Sequence, residues 1–269
     1  MSSPTQYELR LVESLDQIDA QEWTRLAGAH PFISYPFLVG LQSTGCTSPD
    51  TGWHPRFLLL HRGARLVGCA PCYFKSHSRG EFVFDQGWAE AFARHGLDYY
   101  PKLLVAAPFT PVQGPRLLAA DEEARVALAH ALITVTRSSG ASSAHVLFVE
   151  DQDRVALVKA GFLVRESLQF HWSNQSYSRL NDFLASLNQD KRKKVRQDSK
   201  YVASAGIAYK WLEGADITEE HLRFFYTCYS RTYEEHWSTP YLSFEFFQLM
   251  HEERSLHFVL MLGHRQGLP

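Results

Sequence analysis

A strand–helix–helix–strand order that occurs twice in the chain is the feature that most constrains its fold. The first copy opens with residues 7–12, where apolar and polar side chains alternate as in a half-buried strand. Amphipathic patterns predict helices over 18–27 and 35–41, and the apolar run at 56–61 predicts a second strand. A glycine turn then leads into another apolar run, so we expect a hairpin there.

The second copy begins at residue 207 and repeats this order. Strands are predicted at 207–212 and 256–262, with helices over 218–235 and 243–253 between them. Both copies end in an apolar strand that runs into a basic, glycine-containing turn, which is the pattern of an internal repeat. In the first copy much more chain follows this turn, whereas the sequence here stops at it.

We therefore expect residues 206–269 to be the start of a second unit in a fragment or a truncated product. A strand without its partner leaves backbone N–H and C=O groups unpaired along an apolar edge. Two alternatives remain: these residues pack on the first unit in another way, or a second chain covers the open edge after Leu262 by self-association.

The elements between the two copies complete a first unit over residues 1–172. They predict a mixed α/β fold, with an insertion at about 76–100 and a basic helical connector at 173–205. The predicted strands are 65–74, 102–107, 145–149 and 162–172, and the predicted helices are 88–95, 121–137, 152–160 and 180–205.

Composition excludes several classes of protein. The net charge of −2 gives no global basic field, which argues against a general DNA-binding protein. No apolar stretch reaches the length of a membrane span, and the four cysteines are too few for a disulfide framework, so we predict a cytoplasmic protein. Cys69 and Cys72 resemble a redox pair by spacing, but they lie within a predicted strand and are expected to be core residues.

The insertion holds the residues that best suit a substrate cleft. It mixes aromatic rings with lysines, histidines and carboxylates over a segment too long for a simple connection. Asp85 or His77 is the expected general base for an attacking amine. The expected substrate contacts in and beside the insertion are Lys75, Trp88, Tyr100 and Lys102. The alternative is that the aromatic side chains pack over the sheet while the charged groups face water.

The strongest charge signal is a basic run at 191–200. On a helix, Arg192, Arg196 and Lys200 form one stripe with Lys193 beside it. A guanidinium fork matches phosphate with two hydrogen bonds, so these four residues are the expected phosphate contacts. The alternative is a solvated helix face.

Five strings in this sequence resemble the FemAB-like group of the GNAT acyltransferase superfamily. They are 34–38 (SYPFL), 72–78 (CYFKSHS), 80–85 (GEFVFD), 99–103 (YYPKL) and 108–116 (PFTPVQGPR). The order of elements also resembles tandem GNAT units of the Fem aminoacyltransferases, which act on peptidoglycan bridges.

The resemblance implies an enzyme that transfers an acyl or aminoacyl group to an amine, on a cell-wall precursor or another small molecule. It implies acyl-CoA or aminoacyl-tRNA as donor, with tRNA as a partner in the second case. It also implies that the basic helix holds phosphates of the precursor or of the tRNA end. We further expect Arg116, at the end of the last string, to contact substrate.

Some expected parts are missing. An acetyl-CoA site needs a loop of the type Gln/Arg-x-x-Gly-x-Gly/Ala before a helix, but the segment between residues 102 and 121 carries prolines instead. We therefore predict no cofactor site within this chain. The thirteen histidines show no ligand spacing, so we predict no metal site. The alternative function is a non-catalytic recognition module for peptidoglycan precursors or another anionic ligand.

Overall fold

The computed structural model describes residues 7–254 and 256–266. The strands, in chain order, are β1 (Tyr7–Val12), β2 (Trp53–Pro55), β3 (Phe57–Arg62), β4 (Arg65–Ala70), β5 (Cys72–Lys75), β6 (Lys102–Val105), β7 (Leu118–Ala119), β8 (Ala144–Val146), β9 (Ile207–Glu213) and β10 (Val259–Arg265). The α-helices are α1 (Ala20–Ala27), α2 (Tyr35–Ser43), α3 (Gln86–Arg94), α4 (Glu122–Ser139), α5 (Asp151–Ala160), α6 (Leu180–Ser186), α7 (Gln189–Ser204), α8 (Glu219–Glu235) and α9 (Phe244–Glu252).

These elements form two compact units. The first contains the chain up to Val164 together with Tyr226–Leu256, and the second contains Arg165–Phe225 with the residues from His257 onward. This partition interleaves the chain, whereas the predicted units follow one another along the sequence. The assignment of residues 206–269 to a second GNAT-like unit stays a prediction.

The first unit has two four-stranded sheets. One has the order β1-β3-β4-β7 and is antiparallel throughout, and the other has the order β2-β5-β6-β8, in which β6 and β8 run parallel. The mixed α/β class predicted from the sequence is therefore confirmed.

A long, bent hairpin connects the two sheets. Its inner strands β3 and β4 belong to one sheet, and its outer strands β2 and β5 belong to the other. The predicted single strand over 65–74 is therefore two strands, because Pro71 has no N–H to donate to a ladder. Beyond this break the backbone N–H of Arg56 donates to the carbonyl of Cys72 at 2.8 Å. The bend places Lys75 at the end of β5, beside the insertion.

The core of this unit lies between the sheets and α4. Leu128 and Leu132 of α4 are fully buried against apolar side chains of β3, β4 and β6. Cys69 and Cys72 are buried, and burial raises the pKa of both thiols, so they are the core residues that the sequence predicted.

Helix α9 belongs to this unit, although it lies about two hundred residues after α2, the helix it packs against. The ring of Phe246 packs edge-on to that of Phe37 in α2, with centroids 5.8 Å apart. Met250 is fully buried and packs against Gly40. A side chain at position 40 would collide with Met250. The segment that carries α9 also brings Tyr241 into the first unit.

The second unit contains α6, α7 and the β9–β10 pair, which is antiparallel and joins Val259–Arg265 to Ile207–Glu213 in register. The predicted helix over 180–205 is two helices, because Leu187 and Asn188 have extended backbone. Asn188 begins the second helix by accepting a hydrogen bond from the N–H of Lys191.

Two predicted strands need correction. The stretch 162–172 forms no strand, and Leu163 and Phe170 are 95% and 93% exposed. Alternation of apolar residues predicts a strand only where another strand is available to pair with it, and none pairs with this stretch among the described residues. The strand predicted at 256–262 begins later, at Val259.

Candidate functional site

Two buried lysines lie opposite each other where β5 ends and β6 begins, at the two ends of the insertion. Lys75 pairs with Lys102 in the antiparallel register, and the two are 0% and 1% exposed. Like charges directly opposite each other destabilise a sheet. Two charged lysines in these positions would therefore need compensating groups, which the insertion supplies.

Lys102 has a complete set of partners. Its ammonium donates to Ser78 Oγ at 2.7 Å, Glu81 Oε2 at 2.7 Å and Asp85 Oδ2 at 2.5 Å. An ammonium has three N–H donors, so each of them has an acceptor. Both carboxylates are as deeply buried as core leucines, so little of this ion cluster is exposed to solvent.

The two carboxylates differ in their environments. Asp85 Oδ2 also accepts hydrogen bonds from Ser78 Oγ at 2.9 Å and Tyr99 Oη at 2.8 Å. Burial raises the pKa of Asp85, but the hydrogen bonds from Lys102, Ser78 and Tyr99 outweigh burial and leave that pKa below its ordinary value.

For Glu81 the balance is reversed. Burial is the largest influence and raises the pKa of Glu81, although the charge of Lys102 opposes the shift. Glu81 Oε1 and Asp85 Oδ1 are both buried, and neither has a hydrogen-bond partner among the described residues. Of the two carboxylates, Glu81 is thus the stronger base, and each retains one open acceptor.

Lys75 has a much poorer set of partners than Lys102. Its ammonium donates to the carbonyl of Arg79 at 3.3 Å and lies 3.7 Å from the centre of the Trp53 ring. Burial, with help from the charges of Lys102 and Arg79, lowers the pKa of Lys75 to about 7, while Glu81 opposes the shift.

Aromatic rings continue from Lys75 toward the surface. Trp53 contacts Phe109 with ring centroids 4.9 Å apart, and Phe109 stacks on Tyr241 at 5.3 Å with the rings nearly parallel. Phe82, which is 47% exposed, meets the edge of Tyr241 at 6.4 Å. Phe82 and Phe109 have φ of 58° and 57°, a backbone conformation that bulky residues seldom adopt.

Gly80 makes the close approach of these rings to the backbone feasible. A Cβ atom at Gly80 would lie 2.7 Å from the Phe109 ring, and its φ of +81° suits glycine. The glycine thus lets Phe109 pack over the segment that carries Glu81.

The structure brings together four of the residues predicted for the site. Lys75, Asp85 and Lys102 are in the buried cluster, and the Tyr100 hydroxyl joins it through a 2.9 Å hydrogen bond with Ser78. The sequence prediction did not single out Ser78 or Trp53. Neither residue type is unusual at the start of a strand or in a loop, and only the tertiary contacts give Trp53 and Ser78 a role.

The other two residues predicted in the insertion make no hydrogen bond to this cluster among the described residues. The ring of His77 accepts a hydrogen bond from the N–H of Arg79 at 3.2 Å, and burial lowers the pKa of His77. Trp88 is on α3, the short helix predicted from the sequence, and is 58% exposed.

The side chain of Arg116 is held by the protein itself. It is fully buried, and its guanidinium donates to the carbonyls of Leu147 at 2.9 Å, Pro115 at 3.0 Å and Val112 at 2.5 Å. These contacts tie the loop after β6 to the end of β8. Burial lowers the pKa of Arg116 to about 10.

The backbone of the loop after β6 is also occupied. The N–H groups of Arg116 and Leu117 donate to Asp153 Oδ2, and that of Gly114 donates to the carbonyl of Phe148. The side chain of Asp121 caps the first turn of α4. A pyrophosphate cradle needs free N–H groups before and at the start of a helix, and protein acceptors already hold those of Gly114, Arg116, Leu117 and Ala124.

The four predicted phosphate contacts lie on α7, in the second unit. Arg192 is half-buried and donates to the carbonyl of Leu187 at 3.1 Å, while Lys193, Arg196 and Lys200 are exposed. No carboxylate lies within 4 Å of these four side chains in the part of the chain that the structure describes. The stripe therefore presents unneutralised positive charge.

Two kinds of feature are absent from the described residues. No helix within 7–254 or 256–266 has the length and apolar character needed to cross a membrane. Over the same residues, no three histidine, cysteine or acidic side chains are grouped as metal ligands would be.

Comparison with known proteins identifies the family. Residues 14–269 match the FemAB-like family, which is described as acting in peptidoglycan biosynthesis or recognition. No curated protein sequence matches the chain.

The solved structures that are similar to this one include those of TTHA1254 and FemX. A point mutant of TTHA1254 from Thermus thermophilus is 18% identical, with a TM-score of 0.36 over 62% of this chain and 99% of that one. FemX is 15% identical, with a TM-score of 0.42 over 92% of this chain, which spans 57% of the FemX chain. The match over residues 14–269 confirms the resemblance seen in the sequence: the chain belongs to the FemAB-like family of peptidoglycan biosynthesis and recognition proteins.

Proposed function

We propose that the protein is an N-acyltransferase of the FemAB-like type, which transfers an acyl or aminoacyl group to an amine on a cell-wall precursor. The family supports the link to peptidoglycan. The observation that carries the proposal is the buried cluster of Lys75, Glu81, Asp85 and Lys102, in which each carboxylate has one oxygen without a hydrogen-bond partner and the Trp53 ring lies against Lys75. Buried groups whose pKa values are pushed apart are typical of acid–base sites.

The reaction needs a base and an oriented amine more than a covalent nucleophile. An ammonium must lose a proton before its nitrogen can attack the acyl carbon. Asp85 is a weak base because three donors already stabilise its charge, so its role in this proposal is to hold Lys102 and Tyr99 in place. Glu81, with a raised pKa and one buried oxygen that has no hydrogen-bond partner among the described residues, is the better carboxylate base.

The acyl donor does not use the loop after β6 in this proposal, because Asp153 and backbone carbonyls hold its N–H groups. The same observation favours a second candidate function. In that case the unit recognises a peptidoglycan precursor or another anionic ligand and transfers nothing, so the buried cluster serves binding alone.

A transfer assay separates the two candidates. The full chain is incubated with UDP-N-acetylmuramoyl-pentapeptide as acceptor and with acyl-CoA or aminoacyl-tRNA as donor, and products are read by mass spectrometry. We expect a mass increase on the acceptor that Glu81→Gln reduces by about 10²-fold or more, the usual contribution of a general base. Glu90→Gln, an exposed change on α3, is the matched control.

Calorimetric binding of the same acceptor completes the experiment. If the acceptor binds but neither donor gives transfer, the result rejects the enzyme and supports the recognition module. If the chain shows no binding and no transfer, the result contradicts both candidates.

A further inference from the structure

The two-stranded sheet of the second unit has open edges. Among the described strands β10 pairs only with β9, and no other described residue hydrogen-bonds the backbone of Val259–Arg265. The N–H and C=O groups on the outer side of β10 are therefore available to another strand. A two-stranded sheet is also only marginally stable by itself, and further strands strengthen it.

One face of this sheet is apolar and exposed. Leu212 and Leu262 point to the other face and are buried. Four large side chains share the exposed face in the β9–β10 register and are each 43–61% exposed: Tyr209, Trp211, Val259 and Met261. Since such side chains each have roughly 150–250 Å² of surface, the face presents roughly 400 Å² of contiguous apolar area. That is about half of what each partner buries in a stable complex.

Strand β10 also lacks the charged residues that usually protect an edge. Edge strands commonly carry lysine or other charged side chains, which oppose pairing with another molecule. The edge strand β1 carries Glu8 and Arg10, and β9 carries Lys210 at its centre. From Val259 to Gly263, β10 has no charged side chain. Of the two open edges in this unit, the β10 edge is thus the better site for a further strand.

The sequence of β10 fits a second copy of itself. When two copies of this seven-residue strand pair antiparallel over their whole length, the middle residue Leu262 lies on the two-fold axis. Met261 then lies opposite the partner's Gly263, which leaves room for the methionine side chain between Trp211 and the partner's Tyr209. Large and small residues thus alternate across the junction.

Charges at the ends of the strand fit the same register. Val259 has Glu213 on one side and, in this pairing, the partner's Arg265 on the other. Two strand spacings, about 10 Å, separate these charged residues, and their long side chains can meet over the smaller valine. Arg265 has no ion-pair partner within 4 Å among the described residues, and the ion-pair partner of Glu213 is His257 at 3.7 Å. A symmetric dimer contains the Glu213–Arg265 pair twice.

We propose that a second copy of this chain adds to the β10 edge, so that the two β9–β10 pairs form one antiparallel four-stranded sheet across a two-fold axis. Backbone hydrogen bonds supply the attraction, and the apolar row and the two Glu213–Arg265 pairs fix the register. Because the contact area is smaller than in most stable complexes, we expect a dissociation constant in the micromolar range. The dimer does not depend on acyl transfer.

Analytical ultracentrifugation of the full chain from about 1 to about 200 µM tests the association. We expect a monomer–dimer equilibrium in this range. Glu213→Arg and Arg265→Glu should each weaken the dimer about tenfold, because each reversal places two like-charged pairs at the junction. The double variant should restore the wild-type constant. Glu220→Arg, an exposed change on α8 in the same unit, is the control.

Cysteine cross-linking tests the register. In a Cys228→Ser background, which removes the exposed native thiol, Met261→Cys combined with Gly263→Cys places thiols of the two copies directly opposite each other. A Cβ atom at Gly263 meets only ordinary contact distances, with the Tyr209 ring at 3.5 Å. We expect covalent dimers from this variant and few from Met261→Cys alone, whose two thiols lie two residues out of register.

A monomer at every concentration would overturn the proposal. The same holds for a dimer that neither charge reversal weakens, and for a double variant that stays weak. Efficient cross-linking through Met261→Cys alone would also contradict it, because the copies would then meet in another register.

Discussion

The two lysines of the buried cluster show how strongly hydrogen-bond partners can distinguish identical side chains in a buried site. Lys75 and Lys102 have the same chemistry, nearly the same burial and paired register positions. They differ because the insertion places Ser78, Glu81 and Asp85 around only one of them. The two lysines therefore have different electrostatic environments, because the number of acceptors within hydrogen-bond distance differs between them.

A stability measurement at two pH values tests the state of Lys75. The unfolded chain binds the lysine proton up to its ordinary pKa of 10.5, while the folded protein holds it only below about 7. Between these values the unfolded state binds more protons, so stability rises with pH. From about pH 7 to about pH 9 the wild type should gain about 2 kcal/mol in free energy of unfolding relative to Lys75→Met. Urea unfolding at both pH values measures this, and parallel pH dependence in the two proteins would contradict it.

Among the elements, α7 carries a face that internal pairing does not explain. Arg192, Arg196 and Lys200 are spaced at one-turn intervals and share one side of the helix, as the sequence predicted. Carboxylates neutralise many basic side chains elsewhere in the chain, and the described residues place none beside this stripe. This arrangement supports the proposed contact with phosphate.

A charge substitution on α7 tests that contact. Arg196→Ala should weaken binding of UDP-N-acetylmuramoyl-pentapeptide by roughly 1–3 kcal/mol, the range for hydrogen bonds to charged groups. Lys194→Ala removes the same charge from the opposite face of the helix and serves as control. Calorimetric titration at low salt measures both. Equal affinities for Arg196→Ala and wild type would reject the phosphate contact.

At the scale of the whole molecule, the first unit is completed by residues 226–256, far along the chain. Phe246 and Met250 fill positions against α2 that the first 164 residues leave open. The same segment supplies Tyr241, which stacks on Phe109 beside the buried cluster. Completion of the core and completion of the aromatic wall therefore depend on one segment.

Truncation of one aromatic side chain in that segment tests how much the segment stabilises the first unit. Phe246→Ala should lower the stability of the unit by about 3–5 kcal/mol, since it opens a cavity beside Phe37. Leu163→Ala, at a 95% exposed position, should leave stability near that of the wild type. Hydrogen exchange of the β3 amides reports on this unit specifically. Unchanged protection of β3 in Phe246→Ala would show that α9 contributes little to it.

Local sequence was sufficient to predict most helices and strands and to single out some residues of the buried cluster. Periodicity predicted β1 and α2 closely, and the insertion with its short helix was found from its length and composition. Prediction failed at 162–172, where alternation had no partner strand, and the predicted substrate contact of Arg116 stays a prediction, although the donors of that side chain bind backbone carbonyls. Such outcomes depend on residues distant in sequence, which local patterns do not register.

The sequence by itself determined the FemAB-like family, the mixed α/β class and the segment that holds the candidate site, because strings, periodicity and composition are local properties. Tertiary structure alone decided which charges meet. It set Lys75 opposite Lys102, gave the three acceptors to Lys102, and closed the aromatic wall with Tyr241. The physical reason is that pKa and reactivity follow from desolvation and from contacts a few ångströms away, and only folding fixes these.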